Sequence, residues 1–63
     1  MAIKGIPDTE NIVLHRVAKN GDSYRITSNE AGTVYTLYKV ENDKATKIGK
    51  ASTPPELEKK YID

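Results

Sequence analysis

The chain has 63 residues, no cysteine, and 10 Lys and Arg against 9 Asp and Glu, a formal net charge of +1. That length allows one domain whose core is near the lower limit of self-sufficiency, and it leaves little room for a deep substrate pocket. The missing cysteines exclude a disulfide framework and a thiolate metal site, and the balanced charge excludes a global field suited to nucleic acid or an anionic membrane.

The opening MAIKGIPDTE has neither the long apolar core of a signal peptide nor a membrane span, so the chain reads as soluble and cytoplasmic. Residues 1–10 are expected to form a tail or a short edge strand anchored by Ile3 and Ile6, ahead of a single domain over residues 11–63. Charged residues make up 30% of the chain and aliphatic residues recur through its middle, a pattern of folding rather than disorder.

Asn20-Gly21, inside RVAKNGDSYRI, is the clearest local signal. A type I′ turn needs positive φ at both central residues, which Asn and Gly tolerate, so Ile12–Lys19 and Asp22–Ser28 are expected to pair as a hairpin. In SNEAGT, Asn29 can open a type I turn and Gly32 can take the left-handed position after it. That three-residue loop leads into a third strand, TVYTLYKV. A further turn at Glu41–Lys44 precedes a weaker strand, Ala45–Ala51, interrupted by Gly49. The sum is a mainly β, α+β fold: a four-stranded antiparallel meander, with a small SH3-like barrel as its form if the sheet curls.

The chain changes character at STPPELEKKYID. Thr53 with Glu56 three residues on spells a capping box, with proline at the first helical position, although Pro55 disfavours helical geometry at Pro54. Leu57 and Tyr61 stand four apart, as do Glu56 and Lys60, which predicts a short amphipathic helix. A helix this short is marginal alone, so Leu57, Tyr61 and Ile62 should dock on the sheet.

Alternation along the strands assigns the faces. The turns predicted above set Val17 opposite Tyr24, His15 opposite Ile26, Tyr24 opposite Tyr38 and Ile26 opposite Thr36. One face then collects Val13, Val17, Tyr24, Ile26, Val34, Tyr38 and Val40 as the main core. The other carries Ile12, Leu14, Arg16, Arg25, Thr27, Tyr35, Leu37 and Lys39. A two-residue turn at Asn42-Asp43 would put Ile48 beside Leu37, and a three-residue turn would move it to the core. One helix covers only part of one face, so barrel closure, a second chain or another partner is needed for the remainder. Ile12, Leu14, Tyr35 and Leu37 are the candidate partner-binding residues on that reading, and a free strand edge is the other route to contact.

Arg16 and Arg25 face each other in this register, with Lys39 nearby. Opposed like charges destabilise a sheet, so an anion between them is one resolution and phosphate is the natural candidate. With Tyr35 available to stack on a base, Arg16, Arg25, Lys39 and Tyr35 form a candidate nucleic-acid surface. The plainer alternative lays both arginine stems along the sheet or pairs them with Glu10, Glu30 or Glu41. Lys44, Lys47 and Lys50 alternate faces and read as a solvated edge. His15, the lone histidine, is expected to be packed and hydrogen-bonded, and without cysteine a metal site there would need carboxylates from elsewhere. Tyr24 and Tyr38 read as cross-strand core partners and Tyr61 as the helix anchor.

No nucleophile–base–acid spacing, phosphate loop or paired-carboxylate motif is present. The sequence thus points away from an enzyme, with no cofactor, no small-molecule substrate and no membrane contact expected. The outline of a bent meander with a short C-terminal helix is similar to small SH3-like DNA-binding proteins, with no shared residue motif, and fold alone does not fix function. The expected role is a non-catalytic interaction module that binds another protein or a second copy of itself, with nucleic-acid binding as the alternative.

Overall fold

In the computed structural model, which describes residues 4–62, four strands lie in the order β1-β2-β3-β4. They are β1 (Asn11–Val17), β2 (Ser23–Ser28), β3 (Tyr35–Glu41) and β4 (Lys44–Ala51), each antiparallel to its neighbours. A short helix follows, α1 (Pro54–Leu57), continued by a π-helical turn, Glu58–Ile62. The fold is therefore the expected mainly β meander with a C-terminal helix. Strands β1 and β4 do not pair with each other, so the sheet is open and not a closed barrel. Ile3, an expected anchor of the N-terminal segment, lies outside the described residues.

The loops that join the strands correct the predicted register. At the first hairpin the Ala18 N–H donates to the Asp22 carbonyl and the Gly21 N–H to the Ala18 carbonyl, both at 2.9 Å. The loop is thus Lys19–Gly21, with Gly21 at φ 94°, a conformation its missing Cβ permits. Asn20 does not enter positive φ. Its Oδ1 accepts the Asp22 N–H at 3.1 Å, a local side-chain turn that competes with type I′ geometry. At the second hairpin the Asn29 N–H donates to the Val34 carbonyl at 3.2 Å, leaving Glu30–Thr33 as the loop, one residue longer than predicted. Asn29 Oδ1 holds that loop by accepting the N–H groups of Thr33 at 2.9 Å and Val34 at 3.2 Å. The third connection is the two-residue turn, with Asn42 at φ 51° and Asp43 at φ 64°. Ile48 packs on the side of Leu37, at a bulge in β4 that sets Gly49 opposite Leu37.

Each one-residue slip moves a strand's side chains to the opposite face. Val17 faces Ser23, not Tyr24, and His15 faces Arg25, not Ile26. Tyr24 faces Lys39, not Tyr38, and Ile26 faces Leu37, not Thr36. The predicted core row therefore divides. Tyr24, Ile26 and Leu37 are buried with Leu57 on the helix side, joined by Leu14, Tyr35, Ile48, Tyr61 and Ile62. Tyr38 is buried on the other side with Ile6 and Ala45, against Val40. Val13, Val17 and Val34 are exposed.

Each face is covered in part from within the chain. On the helix side Leu57 is fully buried, and Tyr61 lies so close over Gly49 that a Cβ there would collide with its ring. Thr53 occupies the N-cap with φ −138° and ψ 145°, and Pro54 opens the helix, but the threonine side chain makes no capping hydrogen bond. The predicted capping box is thus not formed; proline supplies the start by its fixed φ and missing donor. On the opposite face the N-terminal segment acts as a strap. Lys4 bridges to Lys44 in parallel, the Ala45 N–H donates to the Lys4 carbonyl at 2.7 Å, and Ile6 is buried over the sheet. Glu10 ends the strap, accepting hydrogen bonds from Thr27 Oγ1 at 2.6 Å and the Tyr38 hydroxyl at 2.9 Å.

Candidate functional site

The sequence named Ile12, Leu14, Tyr35 and Leu37 as one apolar surface. The observed register keeps Leu14, Tyr35 and Leu37 on one face, turns that face under the helix, and separates Ile12 from them. Leu37 is wholly buried, Leu14 and Tyr35 pack beside it under the helix, and Ile12 stands 47% exposed on the outer strand. The longer loops turn Leu14, Tyr35 and Leu37 together toward Ile26 under the helix, and the bulge between Ile12 and Leu14 puts Ile12 on the other face.

The basic set is divided as well. Arg16 lies opposite Tyr24 and Arg25 opposite His15, so the two arginines occupy different faces and no anion site exists between them. Arg16 Nε is ion-paired and hydrogen-bonded to Glu58 Oε1, a partner on the C-terminal helix. Lys39 Nζ stands 3.0 Å from Glu41 and 3.5 Å from Asp22. The hydrogen bond to Glu41, then the charge of Asp22, raise the Lys39 ammonium above its ordinary pKa. Arg25 donates to the Tyr24 carbonyl at 3.2 Å and has no carboxylate partner among the described residues. His15 is exposed on the outer strand, contrary to the expected packed position. Among the described residues no three His, Asp or Glu side chains gather as a metal site, and no helix is long and apolar enough to cross a membrane.

What the register does create is an unusual contrast between the two edges of the sheet. Along β4, Lys44, Lys47 and Lys50 are exposed, and the strap bridges the strand's first residues. Charged edges of this kind resist further pairing. β1 carries no lysine, and its exposed residues include Ile12 at 47%, Val13 at 46% and Val17 at 60%. The Ala18–Asp22 hydrogen bond fixes the phase of the β1–β2 ladder. Antiparallel pairing directs alternate residues inward, so Leu14 and Arg16 bond to β2 while the backbone N–H and C=O of His15 and Val17 point away from the sheet. One of these groups is already engaged, since the His15 carbonyl accepts from Arg16 Nη1 at 3.0 Å. A carbonyl keeps a second lone pair.

Two features bound this edge. The register shift between Ile12 and Leu14 is a bulge at Val13, which limits the regular outward ladder to the stretch after it. Beyond Val17 the edge runs into a shallow concavity lined by Val17, Ala18, Lys19, Asn20 and Ile62. The sequence pattern assigns Val13 and Val17 to the core. Loop length and the bulge at Val13, which no residue pattern announces, put them outside it.

Comparison of the chain with family models, with curated proteins and with solved structures finds no match.

Proposed function

We propose that this chain is a non-catalytic interaction module that acts by protein–protein contact, accepting an extended strand along the β1 edge. The observation that carries this reading is the outward row of His15 and Val17 backbone groups beside exposed Ile12, Val13 and Val17, on a strand with one neighbour among the described residues. Main-chain hydrogen bonds supply affinity in strand addition, and side chains of alternate residues supply selectivity. The concavity beside Ala18 and Ile62 gives one such side chain a place to sit. A cytoplasmic place of action belongs to this proposal, in keeping with a chain that carries no cysteine.

The nucleic-acid alternative needs Arg16, Arg25, Lys39 and Tyr35 to act together. Arg25 is on the face opposite the other three, and Arg16 and Lys39 are held by carboxylates.

A selection from a random library of displayed peptides tests the proposal. Bound peptides are expected to shift the amide resonances of His15 and Val17 first, and to lose affinity with Val17→Lys, which places a charge on the edge. Binders that act on the helix or on β4, or salt-sensitive binding of single-stranded DNA that Arg25→Ala removes, would overturn it.

A further inference from the structure

We infer that the strand accepted at this edge is β1 of a second copy, paired antiparallel about a two-fold axis at Arg16, so that two sheets of four strands become one of eight. The inference rests on reading β1 as a docking edge, and it is the register that points to self-pairing.

The outward groups of His15 and Val17 must meet outward groups on the incoming strand. With Arg16 opposite the partner's Arg16, His15 falls opposite the partner's Val17 and Val17 opposite the partner's His15. Both pairs are then hydrogen-bonded positions of an antiparallel ladder, and all four sets of outward groups are used at once. Pairing centred one residue earlier, on His15, would set Val17 against the partner's Val13, where the bulge breaks the ladder. Pairing about Val17 would set His15 against Lys19, in the loop. Only the register about Arg16 stays within the regular part of the strand.

Side chains agree with that register on both faces. On one face Val17 meets the imidazole of the partner's His15. On the helix side the partner's Leu14 comes opposite Ala18, beside the concavity that Ala18 and Ile62 line. Two arginines meeting at the axis would repel if bare. Here each brings its own carboxylate, because Glu58 is bonded to Arg16 from the helix above the edge. The centre of the interface is therefore an alternating cluster of two guanidinium and two carboxylate groups, complementary in charge across the axis. The near-neutral chain adds no net repulsion between copies. The other edge is closed to the same pairing by Lys44, Lys47 and Lys50.

Sedimentation equilibrium from micromolar to millimolar protein tests this inference, with amide exchange measured at both ends of the range. The expected result is a monomer–dimer equilibrium, with the amides of His15 and Val17 slowing as dimer forms. Val17→Lys, at an exposed position, should weaken association by at least about tenfold. Glu58→Gln should weaken it by about fivefold at low salt, and adding Arg16→Gln should restore part of that loss by removing the facing charges. A monomer throughout, or a dimer indifferent to Val17→Lys, would overturn the inference. The peptide selection described above separates the two levels. Peptides that bind at His15 and Val17 of a monomeric chain leave the docking edge standing without the dimer, and their absence from a monomeric chain overturns both.

Discussion

Glu10 ties the end of the strap to the sheet. A single carboxylate oxygen accepts from both Thr27 and Tyr38, and these hydroxyls come from different strands of the buried face. The consequence for Tyr38 is a phenol pushed up to about 12, first by burial, then by its hydrogen bond to Glu10 and the charge of that group. An unfolded tyrosine gives up its proton near pH 10. Between about pH 10 and 12 the unfolded chain therefore loses a proton that the folded chain keeps, and stability falls as pH rises. The contribution is complete below pH 10 and lost on passing through about 12. A titration of tyrosinate absorbance should show a late step, toward about pH 12, from Tyr38. Tyr38→Phe should remove that late step and lower stability at pH 7 by about 1 kcal/mol through the lost hydrogen bond. A late step that survives Tyr38→Phe would assign it to another tyrosine.

At the scale of elements, the strands, their order and the C-terminal helix were all legible, because they depend on local patterns. Gly21, Gly32 and Asn42-Asp43 punctuate the apolar runs, while Pro54 with Leu57 and Tyr61 marks the helix. Loop length was not legible in the same way. Asn20 and Asn29 can each enter a turn by backbone conformation or by lending a side-chain oxygen to a nearby N–H, and both took the second course. Each choice costs the chain nothing obvious in sequence and reverses a whole strand. That is why the candidate site had to move, from a face built on Leu14 and Leu37 to an edge built on His15 and Val17. The Asn42-Asp43 turn holds Asp43 at positive φ without help from glycine. Asp43→Gly should relieve that conformation and raise stability by up to about 1 kcal/mol, read from the urea midpoint. A loss of stability instead would show that the aspartate side chain contributes more than the backbone strain it brings.

The whole molecule is a single sheet between two covers of different origin, and its smallest extent, 14 Å, reflects that thinness. Neither cover is large. Among the described residues Leu57 is the fully buried one of the helical cover and Ile6 the buried apolar one of the strap. The two clusters they enter share no residue, yet they meet through β3, where Leu37 belongs to one and its neighbour Tyr38 to the other. If the sheet is a rigid partition, loss of packing on one side should not be felt on the other, and the effects should add. Leu57→Val and Ile6→Val each remove one methylene, and each should cost about 1 kcal/mol. Together they should cost the sum to within about 0.5 kcal/mol, measured by urea unfolding. A larger departure would mean that β3 shifts as a unit when either cover loosens. Strap and helix would then act as one cooperative clamp on the strand that passes between them.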